Sequence, residues 1–305
     1  MQLLTAQQLT LTILMNQSVD LTIKSLLNEK LVELETHLDA DVLVYYGGIV
    51  NGNENLLLQL VEDLASDPNK KEKLYIVLTT GGGSAGVVER YVNIIRHHYD
   101  EVNFIVPDYA YSAGTIWCMS GDNILMDYFS VLGPIDPQVQ NKEGRFVAAL
   151  GYLDKVNELL VKAADNTLSN AEFLILKDFD LAELRGYEQA KELTIALLKK
   201  WLVKYKFKNW ETHNTTPALL GTPVTEDQKI ERAQAIADDL SNNTRWNSHG
   251  RPINIETLQN ELKLLIEDYS DDETLRIKIR SYYTLLSDFV ITRGVPIFVH
   301  TRKYF

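Results

Sequence analysis

Three short segments carry residue types able to do chemistry. The first, Thr79-Thr80-Gly81-Gly82-Gly83-Ser84-Ala85-Gly86, stands between an apolar run and a helical pattern. Its glycines let the backbone turn sharply and present N–H groups beside a helix start, where negative charge is stabilised. Two chemistries use such a turn. Gly81, Gly83 and Gly86 satisfy the G-x-G-x-x-G spacing, with Asp108 after the next strand, which is the pattern of a dinucleotide phosphate site and hence of an oxidoreductase. The same amides can instead hold an oxyanion. A tight turn without a ligand is the third reading.

The second segment is Ala110-Tyr111-Ser112-Ala113-Gly114-Thr115, again after a strand and before a helix. Small residues around Ser112 permit a tight turn that lifts its hydroxyl to the carboxyl edge of a sheet, where open α/β folds place their sites. Ala110 replaces the first glycine of the G-x-S-x-G elbow, and a serine in this position serves equally as a helix N-cap. Two such turns on consecutive strands favour the nucleophile, because that geometry can bring the Gly82 and Gly83 amides beside the Ser112 hydroxyl. The third segment, Leu132-Gly133-Pro134-Ile135-Asp136-Pro137-Gln138, brackets an aspartate with two prolines and reads as a rigid extended loop.

The elements that position these turns follow from periodicity. Asp41–Tyr46, Leu74–Thr80, Asn103–Val106 and Asn123–Met126 read as strands, separated by helical patterns over Glu54–Ser66, Ala85–Tyr99 and Ala113–Ser120. That alternation is the mark of repeated βαβ units and a parallel sheet. After about Phe146 the strand signals fade, and helices are expected over Phe146–Ala164, Asn170–Leu176, Leu181–Tyr205, Thr225–Leu240, Asn254–Ile266 and Asp272–Ser287. The expected organisation is a helical segment over 1–40, an α/β core over 41–145 and a mainly helical part over 146–305.

In this order, the Gly81-Gly82-Gly83-Ser84 turn, the Tyr111-Ser112-Ala113-Gly114 turn and Leu132–Gln138 resemble the serine dehydrogenase proteinase family of Clp-fold peptidases. Tyr187-Glu188-Gln189-Ala190 through Trp201, and Trp246–Ile253, resemble the bacterial members of that family. The resemblance implies a Clp/crotonase-like α/β fold and a serine peptidase acting through an acyl-enzyme on Ser112. It also implies oxyanion donors at Gly82, Gly83 and Ala113, a peptide or protein substrate, and a homo-oligomer. The Clp proteolytic subunit carries its histidine in the segment that corresponds to 134–138, and this sequence has none there. A lysine with a lowered pKa can take over as base. Similarity to signal peptide peptidase A-type enzymes points to Lys155, with Lys162 and Lys191 as further candidates. His249, in the turn Ser248-His249-Gly250-Arg251-Pro252, is the histidine alternative. A catalytically silent scaffold of the same fold also remains open.

Composition bounds the rest. The 305 residues carry a formal net charge of −12, which gives nucleic-acid backbones and anionic lipid little to attract, so neither is an expected partner. The single cysteine, Cys118, excludes an internal disulfide, and its apolar neighbours place it in the core. No His or Cys cluster has metal-ligand spacing, so no metal and no cofactor are expected. The Met1–Gln8 start lacks a signal-peptide pattern and no run is long enough to span a bilayer, which reads as a cytoplasmic protein.

Overall fold

Along Asp41-Val42-Leu43-Val44-Tyr45 successive side chains leave the strand on opposite sides, and all five residues are buried. Such a strand needs cover on both faces. The computed structural model describes residues 6–140, 146–214 and 216–304, and it supplies that cover. In chain order the first half contains α1 (Ala6–Leu38), β1 (Asp41–Gly47), α2 (Glu54–Ala65), β2 (Lys73–Thr79), α3 (Ala85–His98), β3 (Glu101–Ile105), β4 (Tyr109–Ala110), α4 (Ala113–Cys118), β5 (Asn123–Met126) and β6 (Val131–Leu132). The second half contains β7 (Gln138–Gln140), β8 (Phe146–Ala148), α5 (Ala149–Ala164), α6 (Asn170–Lys177), α7 (Leu181–Trp201), α8 (Glu226–Ser241), α9 (Asn243–Trp246), β9 (Ile253–Asn254), α10 (Ile255–Asn260), β10 (Glu267–Asp268), α11 (Glu273–Arg293) and β11 (Ile297–His300).

The main sheet has six strands in the order β10-β5-β3-β2-β1-β11. All pairings in it are parallel except that of β11 with β1. Leu43, Tyr45, Ile76, Leu78, Phe104, Ile124 and Met126 belong to one core, which α2, α3, α4, α7 and α8 close. Val42, Val44, Val77, Ile105 and Leu125 belong to the other, sealed by Leu27, Leu31 and Leu34 of α1 and by Leu275, Ile279, Tyr282 and Leu286 of α11. The helix spacings are those of one apolar stripe. The protein is therefore an α/β fold with a parallel sheet between two helical layers, as the alternating pattern predicts.

The helical segment expected over 1–40 and the mainly helical part expected over 146–305 both contribute to this body. α1 and α11 form one whole layer, while β10 and β11 complete the sheet. Phe146–Ala148, expected as the start of a helix, is a strand because it pairs with Gln138–Gln140. Among the described residues, the excursion from α5 to the start of α7 has a small core of its own, around Ala149, Val156, Leu184 and Tyr187. The boundary at 145 falls among residues 141–145, and the first five residues of the N-terminal segment also lie outside the described residues.

Two polar features brace the end of the sheet away from the strands' carboxyl edge. Arg302 Nη1 bonds both Glu35 Oε1 (2.8 Å) and Asp41 Oδ1 (2.6 Å), while Tyr99 donates its hydroxyl to Asp41 Oδ2 (2.7 Å). This ties α1, β1, α3 and the residues after β11 together. Beyond α7, a single π-helical turn over Leu202–Lys206 turns the partly exposed Lys206 inward, and its ammonium donates to Asp122 O at 3.2 Å.

Candidate active site

Ser112 sits at the start of α4 with φ 54° and ψ −118°. A non-glycine residue adopts such a backbone only where its surroundings hold it there, at a cost of roughly 1–3 kcal/mol. The surroundings do so. Thr80 N–H donates to Tyr109 O (3.0 Å), Tyr111 N–H to Thr80 O (2.9 Å) and Gly114 N–H to Tyr111 O (2.8 Å). The buried Thr115 hydroxyl lies 2.8 Å from both Ala110 O and Gly133 O and accepts Gly133 N–H at 3.0 Å. One side chain thus joins the serine turn to the proline-bracketed loop. Behind it Trp117, fully buried, packs against the rings of Tyr45, Tyr91 and Phe104 with centroids 5.1–5.9 Å away. The Ser112 hydroxyl makes no hydrogen bond among the described residues, so it does not act as the helix cap.

The glycine turn comes directly against this serine. A Cβ on Gly82, at φ 102°, would lie 2.8 Å from Ser112 Cβ; on Gly83, at φ 147°, it would lie 2.0 Å from Ile49 O. Neither position admits a side chain. The turn is stitched to the loop after β1 by Ile49 N–H to Gly82 O and Ser84 N–H to Ile49 O, both 2.9 Å. Of the three amides expected to face an oxyanion, that of Gly82 donates to Thr80 Oγ1 (3.0 Å). Those of Gly83 and Ala113 have no partner among the described residues. The dinucleotide pattern finds no support in this geometry, since the Gly83 turn closes on Ile49 and the Asp108 carboxylate accepts the Tyr283 hydroxyl (2.7 Å).

The expected bases are placed as follows. Lys155, on α5, is half-exposed and its ammonium pairs with Glu158 at 2.8 Å. Lys162 bridges Glu158 and Glu172 (3.2 and 2.6 Å), and the hydrogen bond to Glu172 raises its pKa, the opposite of what a base requires. Lys191 lies on the rim of a groove between α5 and α7. None of the three bonds Ser112.

His249 has a different environment. β4, β6 and β9 form a small sheet in which Ala110, Leu132 and Ile253 stand in line. Continuing the antiparallel β6–β9 register by four residues sets Asp136 opposite His249, and their side chains meet, Nδ1 to Oδ1 at 2.8 Å. Ser112 follows β4, Asp136 follows β6 and His249 precedes the antiparallel β9, so all three lie in the segments that leave the same end of this small sheet. Asp136 is 2 % exposed and His249 25 %. Gln138 Nε2 donates to the second Asp136 oxygen (3.2 Å) and Ile135 N–H anchors the loop to Leu240 O (3.0 Å). A carboxylate so buried needs a donor, and the imidazole N–H supplies one, which leaves Nε2 as the acceptor. The sequence pattern predicts only a rigid loop at Asp136, and the structure shows its carboxylate paired with His249. Two prolines fixing a carboxylate were the signal for it.

Tyrosines line the neighbouring edge. The rings of Tyr109 and Tyr111 lie 5.6 Å apart. Burial, then the neighbouring Tyr46, pushes the Tyr109 hydroxyl up to about 12, so it stays protonated at neutral pH.

Comparison with known proteins now decides the family. Residues 59–220, just over half of the chain, match the model of the ClpP-like SDH-type serine proteinases. The chain belongs to this family. The match spans the ClpP-like glycine turn, Ser112 and Asp136, and stops short of His249. Two uncharacterised proteins of Methanocaldococcus jannaschii are similar to it. One is 32 % identical over 146 residues, 45 % of this chain and 49 % of the relative; the other is 31 % identical over 124 residues, 41 % and 38 % respectively. The chain thus spans half or less of the length of these curated relatives. Among solved structures, a membrane-bound stomatin-specific protease is similar in two forms. A lysine-to-alanine variant with a substrate peptide gives a TM-score of 0.43 at 15 % identity, covering 73 % of this chain and 72 % of that one. A serine-to-alanine variant gives 0.44 at 14 %, covering 77 % and 81 %. Among the described residues of this SDH-type chain, no helix is long and apolar enough to cross a membrane.

Proposed function

We propose that this SDH-type proteinase hydrolyses peptide bonds through an acyl-enzyme on Ser112, with His249, oriented by Asp136, as its general base. The single observation that carries this reading is the 2.8 Å bond from His249 Nδ1 to a buried Asp136 at the sheet end that also bears the strained Ser112 turn. The mechanism follows from those roles. Ser112 Oγ attacks the substrate carbonyl and His249 Nε2 takes its proton. Asp136 holds the imidazole in the needed tautomer and balances the imidazolium charge. The Gly83 and Ala113 amides receive the developing oxyanion, while Gly82 serves as the side-chain-free contact that lets the two turns touch. His249 then returns the proton to the leaving amine, and water releases the acyl group. Lys155, held by Glu158, has no part in it. Assembly with further copies of the chain belongs to the same reading.

Labelling with a fluorophosphonate tests the assignment. Ser112→Ala is expected to abolish labelling and His249→Ala to slow it by about 10³-fold or more, while Lys155→Ala leaves it unchanged. Labelling of His249→Ala at the wild-type rate, with Lys155→Ala silent, would replace the histidine with the lysine. Equal labelling of Ser112→Ala would remove the nucleophile.

A further inference from the structure

The chain carries a formal net charge of −12, yet one short stretch gathers positive charge. Lys199 and Lys200 lie in the last turn of α7, Lys204 in the π-helical turn that follows, and Lys208 just beyond it. Like charges four residues apart repel each other along a helix. Such a row costs stability unless something neutralises it.

The structure turns these side chains toward one place. α7, the π-helical turn and the start of α8 border a groove of about 740 Å³, lined by Lys199, Lys200, Lys204, Lys208 and, from α8, Lys229. Among the described residues Glu226 is the one acidic side chain on that lining. Carboxylates elsewhere do little to offset the imbalance. Lys199 and Lys204 have no ion pair among the described residues, and Lys200 reaches Glu89 only at 3.5 Å. Lys208 shares Asp122 with Arg96, while Lys229 Nζ donates to a neutral acceptor, Lys208 O, at 3.4 Å. The volume is that of a small-molecule site, and π-helical turns set against α-helices recur at functional positions.

A groove with this excess of ammonium groups concentrates anions, and its length selects among them. Lys199 and Lys208 are nine residues apart, roughly 14 Å along a helix axis. An extended peptide covers that distance with about four residues, each bringing at most one carboxylate. A phosphate chain concentrates more charge in less length and offers several acceptor oxygens on each phosphorus. Lysines meet phosphate as point charges on flexible stems. Ala196, Val203 and the exposed Ile230 add an apolar part to the lining. A nucleotide would rest its base there, whereas inorganic polyphosphate would use the lysines alone.

We propose that the groove between α7 and α8 binds a phosphate chain. The site does not depend on the peptidase reading, and its test measures binding and not labelling.

Isothermal titration calorimetry of the full chain in dilute buffer uses two probes, inorganic tripolyphosphate and ATP, both without added metal. The wild type is expected to bind at one site per chain. Lys199→Ala with Lys204→Ala is expected to weaken binding by about tenfold or more, because each lost contact is a hydrogen bond between charged groups. Lys177→Ala with Lys191→Ala removes the same charge elsewhere and is expected to leave the affinity as it is. Alanine suits helical positions, and unchanged urea midpoints establish that both variants fold; Lys199→Gln with Lys204→Gln replaces the first if its midpoint falls. ATP binding no tighter than tripolyphosphate assigns the site to the chain of phosphates alone, and tighter ATP binding adds the apolar lining; both support the proposal. No binding of either probe, equal weakening in the two double variants, or a hexaglutamate peptide binding tighter than both probes would each overturn it.

Discussion

Lys206 offers a stability prediction whose size can be worked from its surroundings. Burial drives its ammonium from the ordinary 10.5 down to about 8, against the opposing pull of Glu267, Asp122 and Cys118. That difference amounts to about 3 kcal/mol of cost for carrying the charge in the folded state. The unfolded chain keeps this proton up to pH 10.5 and the folded chain only to about pH 8, so the cost is present in full below pH 8 and fades as pH rises toward 10.5. Lys206→Met removes the cost. It also removes the hydrogen bond to Asp122 O, which is worth about 1 kcal/mol, and solvent contact at this partly exposed residue screens some of the rest. Asp122 keeps Arg96 at 2.9 Å and Lys208 as partners, so it is not left uncompensated. The variant should be more stable at pH 7 by about 1–2 kcal/mol, or a few degrees in Tm for a chain of this length. Its advantage should shrink by about 1 kcal/mol between pH 7 and pH 9. Urea melts of both proteins at the two pH values measure this. A Lys206→Met protein that is less stable at pH 7, or an advantage indifferent to pH, would refute the reasoning.

Two further outcomes follow from the site. Gly83→Ala should destabilise the fold by several kcal/mol, on the order of other strained-backbone substitutions, because its new methyl would meet Ile49 O at 2.0 Å; a chain that melts like wild type would show the turn to be adaptable. Thr115→Val should cost about 2 kcal/mol in urea, since Gly133 N–H loses its acceptor in a dry site, and should slow fluorophosphonate labelling under conditions where the variant is fully folded; an unaltered labelling rate would limit Thr115 to a purely structural role.

The turns at Gly81–Gly83 and Ser112 were legible because each lies between a clear apolar strand and a helical pattern, so local spacing alone gives its place at the sheet edge. The pairing of His249 with Asp136 was harder to read. His249 and Asp136 are distant in sequence and meet through β6 and β9, two-residue strands too short to leave any periodicity. Lys155 sits on a helix whose exposed face satisfies it locally with Glu158, and spacing along the chain carries no information about that choice. The layer role of α1 and α11 was likewise hidden. An apolar stripe such as Leu27, Leu31 and Leu34 says that a helix is covered, not which face of which sheet covers it. β11 escaped notice because its four residues follow directly on a long helix.

The Arg302 clamp and the pairing of β11 with β1 set an order of completion. Ribosomal synthesis delivers β1 well before its outer neighbour β11, the α11 lid over Val42 and Val44, and the Arg302 guanidinium that bonds Asp41. A growing polypeptide can already contain Ser112, Asp136 and His249 while one side of its central strands is still open to solvent. The face of the sheet that Val42 and Val44 present is thereby closed in full only by segments that follow all three of these residues in the chain.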